Sequence, residues 1–335
     1  MSAIPVTVLT GFLGAGKTTL LNRLLRDPTL ANTAVLVNEF GEIGLDHLLI
    51  ERLDGDTVLL NAGCLCCTVR GDLVRALRDL AGRDIRRVVV ETTGLADPAP
   101  ILQTLMADPL LLARFRLDGV VTLVDAVAGM ATLDAQMEAV KQAAVADRLV
   151  LTKTDLASPE AVTALEARLR ALNPGAPLLR ADAPAEALLD CGLYDPAAKH
   201  PDVRRWLDAE AFAHPHHHHH HDVNRHDARI HSFCLTFDEP LPWDGLATWI
   251  DVLTTTRGES VLRLKGILDL EGETRPVAIH GVQGLFHPPV MLERWPDDDR
   301  RSRLVFILRD LDRAVVENGL RAFAESARRQ REIAG

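Results

Sequence analysis

The stretch Gly11-Phe12-Leu13-Gly14-Ala15-Gly16-Lys17-Thr18 decides how this chain folds. It matches the pattern G-x-x-x-x-G-K-[ST] at every position, and the residue types explain why the pattern carries chemistry. Glycines let successive backbone N–H groups curl toward phosphate oxygens, Lys17 reaches the β- and γ-phosphates, and the Thr18 hydroxyl is a Mg²⁺ ligand. Residues 4–9, immediately before it, read as a buried parallel strand, and from Lys17 to Leu25 leucines recur at helical spacing. A strand, a glycine-rich turn and a helix N-terminus whose dipole favours anions make a phosphate cradle. Its expected contacts are Gly11, Gly14, Ala15, Gly16, Lys17, Thr18 and Thr19.

Outward from this run, short apolar, β-branched segments recur at 34–38, 57–60, 87–91, 119–124, 148–152 and 177–179, separated by helical patterns. Such alternation predicts βαβ units around a mostly parallel, doubly wound sheet with helices on both faces, an α/β domain over residues 1–185. Residues 186–227 turn polar and contain six consecutive histidines, His216 to His221, and read as a His-rich linker. Strand-like segments at 230–237, 260–270, 275–281 and 302–308, with helical stretches at 243–253 and 312–331, predict a second, smaller α+β domain over 228–335. There is no internal repeat.

The bulk properties mainly exclude. A chain of 335 residues fits two domains, and a formal net charge of −10 argues against a nucleic-acid partner. No apolar run approaches the ~18 residues of a membrane span, and the first strand begins too early for a signal peptide, so a cytoplasmic location is expected. Three of the five cysteines are packed into Cys64-Leu65-Cys66-Cys67. In a reducing compartment such clustering points to metal or redox chemistry rather than disulfides. Cys191 and Cys234 read as ordinary buried residues.

Ligands of open α/β sheets bind outside the carboxyl ends of the strands, and here nearly every such position is chemically loaded. The second strand is followed by Asn38-Glu39-Phe40-Gly41-Glu42 and the third by Gly63 and the cysteine loop. The fourth leads into Glu91-Thr92-Thr93-Gly94, a carboxylate, two hydroxyls and a glycine. Glu91 is placed to hold Mg²⁺ through water, with Asp125 as its rival, and the Gly94 N–H to sense a γ-phosphate. Thr152-Lys153-Thr154-Asp155 resembles the N-K-x-D element in which the aspartate pairs with guanine and the lysine stem packs on the ring. Thr152 in place of Asn is expected to weaken the hydrogen bond that braces the loop. Three thiols in a C-x-C-C spacing, without a distant second pair, predict an open metal site; a redox pair and inert cysteines are the alternatives.

In that order, the segments GFLGAGKTT, VNEFGE, GCLCC, ETTGLADP and TKTD resemble the CobW-like family of metal-handling P-loop GTPases. Arg263-Leu264-Lys265-Gly266 and the closing segment 306–312 resemble that family's C-terminal domain, and a histidine-rich interdomain stretch is common in it. The resemblance implies a GTP-dependent metallochaperone that delivers zinc, cobalt or another divalent ion to a client protein. Carried over by position, Lys17 and Thr18 serve phosphate and Mg²⁺, and Glu91 and Gly94 form the second switch. Lys153 and Asp155 hold guanine, and Cys64, Cys66 and Cys67 hold the cargo ion. Glu39 and Glu42 lie in the first switch as oxygen ligands, Glu39 also as a positioner of the attacking water, so that Lys17, Glu39 and Glu91 are the expected catalytic residues. Two rivals keep the same P-loop: a small-molecule kinase, which has no need of three thiols, and a non-enzymatic metal buffer that stores ions on thiols and histidines.

Overall fold

The protein's structure is a computed structural model that describes residues 3–38, 58–62, 69–191 and 229–334. The chain divides into two compact units, residues 1–170 with 176–194 and residues 195–335 with 171–175.

In the first unit seven strands form one sheet: β1 (Ile4–Gly11), β2 (Thr33–Asn38), β3 (Val58–Ala62), β4 (Arg87–Glu91), β5 (Phe115–Asp125), β6 (Arg148–Thr152) and β7 (Leu178–Arg180). Their order is β3-β2-β4-β1-β5-β6-β7 and every pairing is parallel. The connections carry α1 (Lys17–Leu25), α2 (Val69–Ala81), α3 (Ala99–Ala107), α4 (Pro109–Leu112), α5 (Gly129–Ala135), α6 (Met137–Ala144) and α7 (Pro159–Leu172), and α8 (Ala185–Leu189) follows β7. A parallel sheet covered on both faces requires strands that are apolar throughout. Accordingly Leu9, Val35, Val89, Val121, Leu123 and Val150 pack with Leu20, Leu21 and Leu24 of α1. Val6, Val8, Leu36, Val88 and Val90, pointing the other way, are equally buried.

Two features depart from expectation. Strand β5 starts at Phe115, four residues before the expected 119, because Asp118, which interrupts the apolar run, is buried as an ion-pair partner. It accepts hydrogen bonds from Thr7 Oγ1 at 3.1 Å and Arg87 Nη1 at 3.3 Å, and a paired, hydrogen-bonded carboxylate is tolerated inside. The core also extends past 185: Leu188, Leu189 and Cys191 join the cluster around Leu9 and Val121. Helix α8 is too short for periodicity to reveal it. It is tied down by Arg148, whose Nε donates to Ala187 O at 2.9 Å and Nη2 to Asp190 O at 2.8 Å.

The second unit is an antiparallel sheet, β11-β10-β9-β13-β8, with β12 beside β10. Its elements are β8 (Ile230–Phe237), α9 (Trp243–Arg257), β9 (Val261–Leu268), β10 (Val277–Val282), β11 (Leu285–Phe286), β12 (Val290–Met291), β13 (Ser302–Arg309) and α10 (Arg313–Ala334). Trp249 of α9 and Leu320 of α10 join Phe233, Leu264 and Phe306 in its core. Trp249 meets the Phe306 ring edge-on at 6.1 Å, and Phe233 stacks on it at 5.4 Å. The two-residue strands β11 and β12 are too short to show an alternation. Residues that alternate with this core include Arg263, Lys265 and Arg303, all buried; Asp297 chelates the Arg303 guanidinium at 2.8 and 2.9 Å. Among the described residues no helix is long and apolar enough to cross a membrane.

Candidate functional site

The parallel register brings the carboxyl ends of the strands level: Leu9 and Val37 both lie beside Glu91, Asn38 beside Ala62, and Asp125 beside Thr152. Strand β1 sits between β4 and β5, where the chain turns to opposite sides of the sheet, so the loop after β1 opens at the topological switch point.

Within that loop Gly14 and Gly16 adopt φ of 75° and 90°, a region costly for any residue with a Cβ. The turn closes with the Ala15 N–H on Phe12 O at 3.1 Å, and α1 begins with the Leu20 N–H on Gly16 O at 2.9 Å. Gly16 at the N-cap has no side chain with which to cap α1, so the helix directs its first N–H groups and the positive end of its dipole at the loop, as an anion requires. Lys17 lies back across the loop, its Nζ donating to Gly11 O at 2.8 Å and Phe12 O at 3.3 Å. A phosphate, as a charged acceptor, is a stronger partner for that ammonium than two carbonyls.

Thr18 at the start of α1 and Glu91 at the end of β4 are brought together: the Thr18 hydroxyl donates to Glu91 Oε1 at 3.1 Å. A hydroxyl and a buried carboxylate beside a phosphate cradle form the hard oxygen set that suits Mg²⁺, so these residues fit the ion. Asp125, the rival, is engaged elsewhere. Its Oδ2 takes the Lys153 ammonium at 2.6 Å, and its Oδ1 accepts the Val127 and Ala128 N–H groups at 2.8 and 3.3 Å. Burial works to raise the Asp125 carboxyl, but the Lys153 and backbone hydrogen bonds outweigh it and hold it below the usual carboxylate range.

In the Thr152 to Asp155 segment a bracing hydrogen bond is present. Thr152 does brace the phosphate loop, its hydroxyl donating to Ala15 O at 2.8 Å and so linking β6 to the cradle. Lys153 follows at φ 55°, tethered by Asp125 so that its stem is fixed, and Asp155 is exposed. We expect Asp125→Asn to weaken binding of a guanine nucleotide about three- to tenfold by loosening the hold on Lys153, the order of one ordinary hydrogen bond. Competition with ATP would show a smaller guanine preference. Because the depressed carboxyl stays ionised above the ordinary aspartate value, this effect should be full at neutral pH and the wild-type pair should fail only as pH falls through its lowered value.

Gly94 is pressed against the cradle. A Cβ there would lie 2.6 Å from Leu13 N and 2.7 Å from Leu13 Cα, so the segment after β4 packs backbone to backbone on the loop. Thr92 is anchored by its hydroxyl on Thr10 Oγ1 at 2.8 Å. Sequence reading missed what holds the rest of the segment. Gln142 of α6 donates from Nε2 to Ala96 O at 2.9 Å and Gly94 O at 3.3 Å, and Lys141 pairs with Asp97 at 3.1 Å. The only signal was a polar residue inside the apolar stripe Ala139, Val140, Ala143, Ala144.

Glu39, Glu42, Cys64, Cys66, Cys67 and His216 to His221 lie outside the described residues. Among the described residues no group of three or more His, Cys, Asp or Glu side chains could hold a metal ion. The topology does locate where the two loops depart: one leaves the edge from β2 and the other from β3. Between β3 and β1 stand β2 and β4. At ~4.8 Å per strand the carboxyl ends of β3 and β1 are about 14 Å apart.

Comparison with known proteins agrees with this architecture. Residues 5–180 match the model of the CobW/HypB/UreG nucleotide-binding domain, and residues 230–324 that of the cobalamin synthesis protein cobW C-terminal domain. The chain is 34% identical over 313 residues to the zinc chaperone YjiA of Escherichia coli, covering 92% of this chain and 94% of that protein. It is 32% identical over 358 residues to the zinc chaperone CobW of Pseudomonas aeruginosa, covering 96% and 92%. The crystal structure of Zn(II)-bound YjiA GTPase from E. coli superimposes with a TM-score of 0.69 at 29% identity, covering 96% of this chain and 99% of that one.

Proposed function

Because the chain belongs to the CobW family, we propose that it is a GTPase that carries a transition-metal ion, zinc before cobalt, and hands it to a client metalloprotein when GTP is hydrolysed. The observation that carries this reading is the Thr18–Glu91 contact of 3.1 Å beside an uncapped, glycine-entered helix N-terminus. It joins the phosphate cradle to β4, one of the two strands between β1 and β3, the strand that precedes the cysteine segment in the chain.

Each residue then has a task. The N–H groups of Gly14, Gly16, Lys17, Thr18 and Thr19, in the turn opened by Gly11 and closed by Ala15, receive the phosphates, and the Lys17 ammonium exchanges its loop carbonyls for them. Thr18 and Glu91 hold Mg²⁺, which when bound neutralises charge between the β- and γ-phosphates. Gly94 presents its N–H to the γ-phosphate, while Asp155 and the tethered stem of Lys153 take the guanine. Glu39, on the loop after β2, positions water, and with Glu42 supplies oxygen ligands. Cys64, Cys66 and Cys67 bind the zinc cargo as thiolates. On loss of the γ-phosphate, movement of the segments after β2 and β4 alters the ligand geometry at the neighbouring cysteine loop and loosens the ion.

Titrating the reduced protein with Zn²⁺ in the presence of Mg²⁺ and either a non-hydrolysable GTP analogue or GDP tests the coupling. Zinc should bind about tenfold more tightly in the GTP state, and by linkage zinc should tighten the analogue by the same factor. Cys66→Ala should remove this tight site and leave nucleotide binding intact. Equal zinc affinity in both states would overturn the coupling.

A further inference from the structure

We infer that Gln142 is a positioning residue for the second switch: its carboxamide, fixed in α6, holds the Gly94–Ala96 turn against the phosphate loop so that Gly94 is poised for a γ-phosphate. The inference rests on the reading of Gly94 given above.

Four observations converge on this side chain. Gln142 is 0% exposed, and its Nε2 bridges Ala96 O at 2.9 Å and Gly94 O at 3.3 Å. Two carbonyls can only accept, so the amide orientation is settled by its partners. The backbone beneath it is pinned as well, with Thr122 Oγ1 of β5 donating to Gln142 O at 2.8 Å. Its Oε1 is buried and has no hydrogen-bond partner among the described residues. Lastly, Gln142 lines a small cavity behind the phosphate loop together with Leu13, Ala15 and Thr122.

A buried amide that spends both donors on the carbonyls of one turn is poorly explained by packing alone, since an apolar side chain of the same shape would fill the space without the cost of burying a polar group. It is explained by a need to grip that turn. The grip acts on the carbonyl of Gly94, whose N–H belongs to the peptide on its other side, so it orients the residue without blocking the N–H. Lys141, pairing with Asp97 at 3.1 Å, secures the far end of the same turn from the same helix.

The test is to compare wild type, Gln142→Met and Gln142→Glu for affinity toward a non-hydrolysable GTP analogue and toward GDP, and for single-turnover phosphate release, with Gly94→Ala alongside. Methionine keeps the reach and removes both donors; glutamate keeps the shape and sets an acceptor against two carbonyls. In Gln142→Met, GDP affinity should stay within about twofold, while the ratio of analogue to GDP affinity and the rate of phosphate release fall about tenfold, the scale of two lost hydrogen bonds. Gln142→Glu should fall at least as far. An unchanged ratio and rate in both variants, or an equal loss of both nucleotides, would overturn the inference, because mere support of the fold does not discriminate the γ-phosphate. If Gly94→Ala also leaves the ratio unchanged, the reading of Gly94 has failed; if it lowers the ratio while the Gln142 variants do not, only the inference has.

Discussion

Gly94→Ala is expected to lower GTP turnover by about two orders of magnitude, the usual effect of removing one preorganised donor from a developing anion, with GDP affinity changed by no more than about threefold. The steric reason is specific. The new Cβ would lie 2.6 Å from Leu13 N and 2.7 Å from Leu13 Cα. Both atoms are backbone of the phosphate loop, so no rotamer change relieves the clash, and the segment after β4 must withdraw. Withdrawal moves the Gly94 N–H away from the γ-phosphate, whereas GDP, lacking that group, loses little. Single-turnover phosphate release and a GDP titration separate the two terms. A wild-type rate would show that Gly94 has no part in the chemistry; loss of both nucleotides would show that the loop itself had been displaced.

Thr18→Ala is expected to remove the Mg²⁺ dependence of GTP binding. It deletes a hydroxyl ligand and the 3.1 Å hydrogen bond that orients Glu91, and the loss should be about 10- to 100-fold or more, the range seen when even an outer-shell partner is removed. Without Mg²⁺ the variant and the wild type should bind GTP alike, since the backbone cradle is untouched. Glu91→Gln, which keeps an oxygen acceptor for Thr18 and removes the charge, should fall between them. Titration of GTP with and without Mg²⁺ measures all three. If Thr18→Ala keeps the full Mg²⁺ enhancement, the ion is held elsewhere and the pairing of Thr18 with Glu91 is structural only.

Legibility in the sequence followed the range of the forces involved. The phosphate loop could be read directly because its conformation is set locally: φ of 75° and 90° at Gly14 and Gly16 is a property of those residues and their neighbours. The parallel sheet could be read because strands buried on both faces must be apolar throughout, a pattern visible in segments such as Arg87–Glu91 and Arg148–Thr152. Where a buried polar group depends on a distant partner, reading stopped. Asp118 hid the first four residues of β5 because its partners, Thr7 and Arg87, are 111 and 31 residues away. Gln142 carried no motif because its two acceptors lie 46 and 48 residues back in the chain.

The candidate site divides along the same line. Its chemical inventory, a lysine and threonine after a glycine turn, a carboxylate ending a valine run, a lysine and aspartate after β6, three thiols in four positions, was determined by the amino-acid sequence alone, because residue type sets what each side chain can donate, accept or ligate. Tertiary structure decided which of them meet. It joined Thr18 to Glu91, assigned Asp125 to Lys153, let Thr152 brace Ala15, and set β2 and β4 between the cysteine-loop strand and the phosphate-loop strand. Strand order and long-range hydrogen bonds arise from packing the whole sheet at once, and no local pattern of residues encodes them.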